Sequence, residues 1–223
     1  MKTDLISNVS HDLKTPLTSM ISYLDILKKE GLDSPNAQEY LNIVDEKTQK
    51  LKTLTEDLFE AAKASSGNIP CDITDINLVQ MMDQELAEMA DVLEDKKLEV
   101  IKTVKIDNEA ATVQADGRLL SRVIENLLGN VGKYALEGSR VYVDIVDGPG
   151  NNVQLDVKNI SRDQLNISPE ELMERFTRGD DSRNTEGSGL GLAIAKDLTN
   201  LMRGTFRLSI DGDMFKATVI LPR

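Results

Sequence analysis

The sequence predicts an α+β protein in two parts, an antiparallel helical hairpin followed by an α/β sandwich. Three observations predict it. Residues 3–64 carry apolar stripes at close to seven-residue steps, interrupted once by Asp33-Ser34-Pro35-Asn36. The small-residue stretch Ser65-Ser66-Gly67-Asn68-Ile69-Pro70 then breaks that period. Beyond it, period-two runs alternate with runs of helical period. With 223 residues, 40% hydrophobic and only 4% aromatic, the chain can build sizeable cores, and they should be aliphatic. A net charge of −12 excludes the basic patch that a nucleic-acid binder needs. The single cysteine, Cys71, excludes an internal disulfide and fits a reducing compartment. No run of 18 apolar residues and no signal peptide is present, so a soluble, cytoplasmic segment without membrane contact is expected.

The first helix should run from about Thr3 to Glu30, with Ile6, Leu13, Met20 and Leu27 as its seam and Val9, Leu17 and Leu24 beside it. Gly31 is the expected C-terminal stop. The second should run from about Ala37 to Ala64 along Tyr40, Leu41, Val44, Thr48, Leu51, Leu54, Leu58 and Ala61. One hairpin buries such seams poorly and two bury them well as a four-helix bundle, so a homodimer is expected. His11 is the only histidine. At about 100° per residue it lies roughly 140° from Ile6, off the stripe, between Asp12 and the solvated Lys14 side. A neutral imidazole is a competent nucleophile near pH 7, and an adjacent carboxylate can hold its tautomer or take its proton. Pro16 removes one helical hydrogen bond just beyond it and should bend the helix.

In the second part, Asp72 to Ile76 reads as a short strand and Leu78 to Leu93 as one helix. Leu98 to Ile106 and Ala111 to Ala115 read as strands, and Asp116 caps a helix that reaches about Ala135. Val141 to Val146 and Val153 to Val157 alternate as strands around the turn Asp147-Gly148-Pro149-Gly150-Asn151-Asn152. Pro169 to Phe176 is a short helix, Thr177 to Ser188 a polar loop, and Leu190 to Leu201 a helix. Thr205 to Ile210 and Phe215 to Leu221 form a final hairpin about Asp211-Gly212-Asp213.

Two constellations carry chemistry. Asn126, Asn130 and Lys133 fall at helical spacing on one face. Amide oxygens suit a hard cation and an ammonium suits phosphate, so this face fits a metal-bound polyphosphate equally as well as a plain solvated surface. Two glycines inside this helix, Gly129 and Gly132, should weaken it by up to about 1 kcal/mol each. Gly187-Ser188-Gly189-Leu190-Gly191 opens a helix, where backbone N–H groups can approach phosphate oxygens. It is neither a dinucleotide fingerprint, since Leu192 stands where a third glycine would be needed, nor a Walker loop, since no Gly-Lys-Ser/Thr follows.

Taken together, these motifs resemble the sensor histidine kinases of two-component signalling over nearly all of the chain. His11-Asp12-Leu13-Lys14-Thr15-Pro16-Leu17 resembles their H-box, and Asn126 to Tyr134 their N-box, with Val131 in place of the usual alanine. Gly187 to Leu192 resembles the G2 box, and Phe176 the F-box aromatic, with Arg178 close enough in sequence to approach phosphate. The adenine-reading acid has two candidates. Asp147 sits in a hairpin turn, so Asn159 is preferred, although Ile160 and Ser161 replace the usual Asn and Gly after it. On this reading Asn159→Asp should keep or improve nucleotide affinity, because a carboxylate accepts a hydrogen bond more strongly.

The resemblance implies a dimerisation and phosphotransfer hairpin at 1–66 and a GHKL-type (Bergerat) ATP-binding domain at 67–223. It implies that Mg-ATP phosphorylates His11 with help from Asp12, and that the phosphoryl group then passes to an aspartate on a response-regulator receiver domain. Thr15 matches the position that orients water for dephosphorylating that partner. Asn126 and Asn130 would hold Mg²⁺; Lys133, Tyr134, Asn159, Phe176, Arg178, Gly187, Gly189, Leu190 and Gly191 would line the nucleotide. The segment would be the cytoplasmic part of a membrane-anchored parent. Asn159 and the glycine-bearing helix also allow an alternative, a degenerate dimeric scaffold or phosphatase that binds nucleotide weakly.

Overall fold

Helix α1, Lys2–Glu30, begins the chain in the computed structural model, which describes residues 2–31, 35–66, 69–106, 111–173 and 189–223, with backbone alone for 2–12, 14, 30 and 64–66. Its sequence holds an i, i+7 seam, and Met20 and Leu27 of that seam are buried while Leu13 is half-buried. Pro16 lies inside the helix, buried, and the helix continues through it. Its missing N–H leaves the Asp12 carbonyl, four residues back, without an intrahelical donor. Gly31 adopts φ +83° and donates its N–H to Leu27 O at 2.9 Å, the expected left-handed stop.

Helix α2, Ala37–Ser66, runs two residues into the stretch expected as linker, since serine is only a mildly poor helix former. Ala37 and Leu54 are buried in it, Tyr40 stacks on Tyr23 at 5.7 Å between ring centroids, and Thr48 Oγ1 lies 3.0 Å from Met20 Sδ. Leu41 departs from its expected place in the seam and is 41% exposed. Leu17, Ile21 and Leu24, at helical spacing on α1, are exposed as well. Met1–Glu60 is one compact unit and Ala61–Arg223 a second.

The second unit contains strand β1 (Thr74–Asn77), helices α3 (Leu78–Glu88) and α4 (Ala90–Asp95), and strands β2 (Glu99–Lys105) and β3 (Thr112–Ala115). There follow helix α5 (Gly117–Tyr134), strands β4 (Arg140–Asp147) and β5 (Asn152–Ile160), helices α6 (Pro169–Leu172) and α7 (Gly191–Leu201), and strands β6 (Thr205–Asp211) and β7 (Met214–Pro222). Asn77 caps α3 by accepting from Val79 and Gln80 N–H, and a Ser168–Glu171 capping box starts α6.

The expected single helix over 78–93 is two. Met89, with ψ near 1°, separates α3 from α4, and Met89 and Val92 then lie against Gly132 of α5. A Cβ at Gly132 would stand 3.0 Å from Val92 Cγ1, so this glycine permits a close helix approach, while one at Gly129 would meet nothing. Helix α5 is continuous through both glycines, because its apolar stripe, including Leu120, Val123, Ile124, Leu127 and Leu128, is buried.

A five-stranded mixed sheet has the order β2-β4-β5-β7-β6, with β2 and β4 parallel and the other pairs antiparallel; β1 and β3 pair separately. Strand alternation puts Val141, Val143, Ile145, Val153, Leu155, Val157, Ala217, Val219 and Leu221 into one core with the stripes of α5 and α7. The turn at 147–152 is the expected hairpin, with Asp147 opposite Val153 and bound to the Arg223 guanidinium. Asp156 is buried, accepts from Thr218 Oγ1 at 2.6 Å and pairs with Lys216 at 2.8 Å. Burial alone would push its carboxyl up; the Lys216, Thr218 and Gln154 hydrogen bonds outweigh that and hold it below its ordinary value.

The α7–β6 corner allows no side chain at Gly204: a Cβ there would meet Ile220 O at 2.6 Å and Leu221 Cδ2 and Thr199 Cγ2 at 2.8 Å. Gly204→Ala is expected to destabilise the protein by about 1–3 kcal/mol through overpacking. Gly129→Ala should instead stabilise it by about 0.5–1 kcal/mol, because alanine is the better helix former. Urea titrations of the two variants measure both, and equal midpoints would refute the contrast.

Candidate nucleotide and phosphoacceptor site

Helix α5 positions most of the candidate side chains of the second unit. Its register is set at the N-terminus by Asp116, which is 2% exposed. Asp116 Oδ1 accepts from Arg118 and Leu119 N–H at 3.0 and 3.3 Å, the cap that the sequence predicts. Its Oδ2 accepts from the Arg118 guanidinium and, 44 residues back in the chain, from Asp72 N–H at 2.9 Å. Cys71 Sγ, next door, lies 3.9 Å from Leu201 O at the end of α7. Residues 71 and 72 thus tie the start of α5 to the end of α7. A second tie joins α3 to α5, where Ser121 Oγ donates to the buried Glu85 Oε1 at 2.7 Å. Nothing in local periodicity announces either long-range bond.

Asn126 and Asn130 follow at one-turn spacing, with Lys133 exposed and Tyr134 half-buried beyond. Asn126 Nδ2 donates to Arg122 O at 2.8 Å, which leaves its Oδ1 as the outward acceptor. A Cβ at Gly191 would stand 2.9 Å from that Oδ1, so the first turn of α7 rests directly on Asn126. The glycine-rich motif and the asparagine face are therefore neighbours in space. Gly189 has φ +68°, a conformation that suits glycine, and turns the chain into α7. Leu190 is 1% exposed and its side chain belongs to the core, out of reach of a ligand. Asn130 Nδ2 is buried and has no hydrogen-bond partner among the described residues. The set of amide oxygens, lysine and helix N-terminus fits a metal-bound nucleoside polyphosphate.

The end of β5 reaches the end of α5. Arg162 N–H donates to Tyr134 O at 2.8 Å, Leu136 N–H to Ile160 O at 2.9 Å, and Ala135 bridges Ser161. Asn159, 3% exposed, shares the helix-covered face of the sheet with Val153, Leu155 and Val157. Asp147 lies at the opposite end of the same hairpin. In the first unit, His11 and Asp12 lie on α1, their side chains outside the described residues, and Thr15 is exposed. Phe176, Arg178 and Gly187 also lie outside the described residues, as does the expected loop at 177–188.

A mixed sheet with such a helix pair on one face, preceded by a histidine-bearing hairpin, defines the catalytic core of a histidine kinase. The chain belongs to that family: residues 1–67 match the His Kinase A (phospho-acceptor) domain, and residues 115–223 the histidine kinase-, DNA gyrase B- and HSP90-like ATPase family. Sensor protein VanSC of Enterococcus gallinarum is 32% identical over 225 residues, 100% of this chain and 61% of that protein. Histidine protein kinase SaeS of Staphylococcus aureus is 32% identical, over 96% of this chain and 61% of that protein. The chain thus spans about three-fifths of the length of these relatives. Among solved structures, histidine kinase AdeS of Acinetobacter baumannii shares the fold with a TM-score of 0.77 at 19% identity, over 95% of this chain and 97% of that one. Histidine kinase ThkA, solved in complex with response regulator protein TrrA, gives a TM-score of 0.71 at 18% identity, over 98% of this chain and 61% of that one. Among the described residues no helix is long and apolar enough to cross a membrane.

The Asp116 cap has a pH signature. Burial would push its carboxyl up, but the N–H groups of Asp72, Leu119 and Arg118 and the Arg118 guanidinium hold it below the usual value. A depressed folded pKa contributes stability that is present above the unfolded value, about 3.9, and is lost as pH falls through the folded value. Asp116→Ala should therefore cost about 1–2 kcal/mol at pH 7. The gap should close in acid, below about pH 4. Denaturant curves at pH 7 and pH 3 measure it; a gap that widens in acid would refute the assignment.

Proposed function

We propose that the chain is the core of a sensor histidine kinase that transfers the γ-phosphoryl group of Mg-ATP to His11 and then to an aspartate of a response-regulator receiver domain. The observation that carries this reading is the pairing, in one chain, of a phosphoacceptor-family hairpin holding the sole histidine with an ATPase-family unit. Residues 1–66 serve dimerisation and phosphotransfer and residues 67–223 bind ATP. The relatives named sensor proteins, and the neighbour solved with a response regulator, support the partner class. The exposed row Leu17, Ile21 and Leu24, with Leu41 on the second helix, supports a homodimer, because a second hairpin would remove it from water. The segment works in the cytoplasm, where ATP is supplied, as part of a membrane-anchored parent.

In the transfer, an imidazole nitrogen of His11 forms the N–P bond while the bond between phosphorus and the ADP oxygen breaks, and Asp12 holds the ring tautomer and takes its proton. Asn126 and Asn130 supply oxygen ligands to Mg²⁺, which when bound neutralises charge on the phosphates. Lys133 meets phosphate, Gly187, Gly189 and Gly191 present backbone N–H groups, and the N-terminus of α7 favours the negative charge. Tyr134 and Asn159 border the base; Phe176 and Arg178 belong to the nucleotide-lining set by their resemblance to the family's motif alone. Thr15 orients a water for dephosphorylation of the regulator.

His11→Ala is expected to abolish acid-labile phosphorylation from labelled ATP while leaving nucleotide binding intact; phosphate retained on this variant would refute the phosphoacceptor. Asn130→Ala should lose Mg²⁺-dependent ATP binding with thermal stability within about 1 kcal/mol, because the half-buried amide nitrogen has no hydrogen bond to lose among the described residues. Undiminished affinity in calorimetric titration would move the metal site elsewhere.

A further inference from the structure

We infer that Glu85 makes the seam between α3–α4 and α5 a proton-operated latch, firmest when its carboxyl is neutral and weakened when it is charged. The seam runs along α5 at helical spacing. At Gly117 a Cβ would meet Ile76 Cδ1 at 3.5 Å and Met81 Cε at 3.8 Å, and at Gly132 it would meet Val92 Cγ1 at 3.0 Å and Met89 Cε at 3.4 Å. Between these apolar ends, Ser121 Oγ donates to Glu85 Oε1 at 2.7 Å. Glu85 stands in the buried stripe of α3, following Leu78 and Met82 at steps of four and three residues, and is 4% exposed. On the α5 side the seam meets two glycines and a serine, so little apolar area is buried there and a buried charge weighs heavily in the balance.

The surroundings supply no compensating cation. Among the described residues, the charged groups acting on the Glu85 carboxylate are Glu88 on its own helix and Glu125 on α5, both acids. Arg122 of α5 is paired with Glu125 at 3.1 Å, and Lys102 of β2 is bound to Asp83. Strand β1 and helix α4, which also pack on α3, carry only acids: Asp75 in the first, and Asp91, Glu94 and Asp95 in the second. Burial therefore pushes the Glu85 carboxyl above its ordinary value, and the Ser121 hydrogen bond offsets only part of that. A folded state that holds this proton more readily than the unfolded chain gains stability as pH falls from neutral towards the unfolded value, about 4.3, below which the gain is complete. Mild acid thus strengthens the lateral support of α5 before stronger acid weakens its cap at Asp116. Because α5 also carries Asn126, Asn130 and Lys133, pH sets how firmly the helix of that face is backed.

The test is urea unfolding of the full chain at pH 7 and pH 4, with hydrogen exchange to localise the effect. Glu85→Gln should lower the unfolding equilibrium constant about fivefold or more at pH 7 and differ from wild type by less than about twofold at pH 4. Ser121→Ala, which removes the donor and keeps the charge, should destabilise the protein more at pH 7 than at pH 4, since a hydrogen bond to a charged acceptor is the stronger. In the wild type, protection of the α3 amides, corrected for the intrinsic effect of pH on exchange, should rise from pH 7 to pH 5, a comparison that needs no variant. A Glu85→Gln variant no more stable than wild type at pH 7, a gap that persists at pH 4, equal losses for Ser121→Ala at both pH values, or α3 protection that fails to rise in mild acid would each overturn the latch.

Discussion

The ATP-binding unit depends on one close approach, that of Gly191 to Asn126. A side chain at 191 would begin 2.9 Å from the Asn126 amide oxygen, so glycine lets the first turn of α7 lie on Asn126 without the amide having to shift. That contact sets the N-terminus of α7 beside the Asn126 amide, on the helix face that also carries Asn130 and Lys133. Separately, each is an ordinary surface feature. Together they have the chemistry that the proposed site needs, with hydrogen-bond donors, a cation and oxygen ligands for a polyphosphate.

Holding two helices to that tolerance falls to the rest of the unit. The apolar stripe of α5 is anchored across the buried side chains of β4, β5 and β7, which leaves its opposite edge fixed relative to the sheet. Asp116 and the Cys71–Asp72 segment clamp the far ends of α5 and α7, and Gly132 lets Met89 and Val92 approach α5 closely. Polar bonds matter here for direction more than for energy, since a buried carboxylate with four donors has one satisfactory position and many poor ones.

The hairpin unit solves a different problem. Its inner seam at Met20, Leu27 and Leu54 is covered within one chain, but Leu17, Ile21, Leu24 and Leu41 are left to water. A pair of helices has too little interior to cover two stripes each, and a bundle of four can cover all of them. As the proposed phosphoacceptor, His11 needs the reverse, and its place in the sequence repeat falls off the Ile6–Leu13–Met20–Leu27 seam.

Residue patterning alone was enough to determine where most elements lie, because hydrophobic periods of 3.5 and 2 are local properties. The α5 register of Asn126, Asn130 and Lys133, the Asp116 cap, the Gly31 stop and the 147–152 hairpin were all legible that way. The break at Met89 was not, having no glycine or proline to mark it; it exists because α4 must turn to meet Gly132. Nor was the environment of Asn159. By sequence it is an amide in place of an acid, with aspartate the natural improvement. In three dimensions the Ile160 carbonyl accepts from both Leu136 N–H and the Asn159 amide nitrogen, which orients the amide. The physical reason is common to these cases: local patterns determine which face of an element is apolar, but Leu136, which shares the Ile160 carbonyl with Asn159, and Gly132, which meets Met89 and Val92, are distant in sequence, and only the packed structure brings them together.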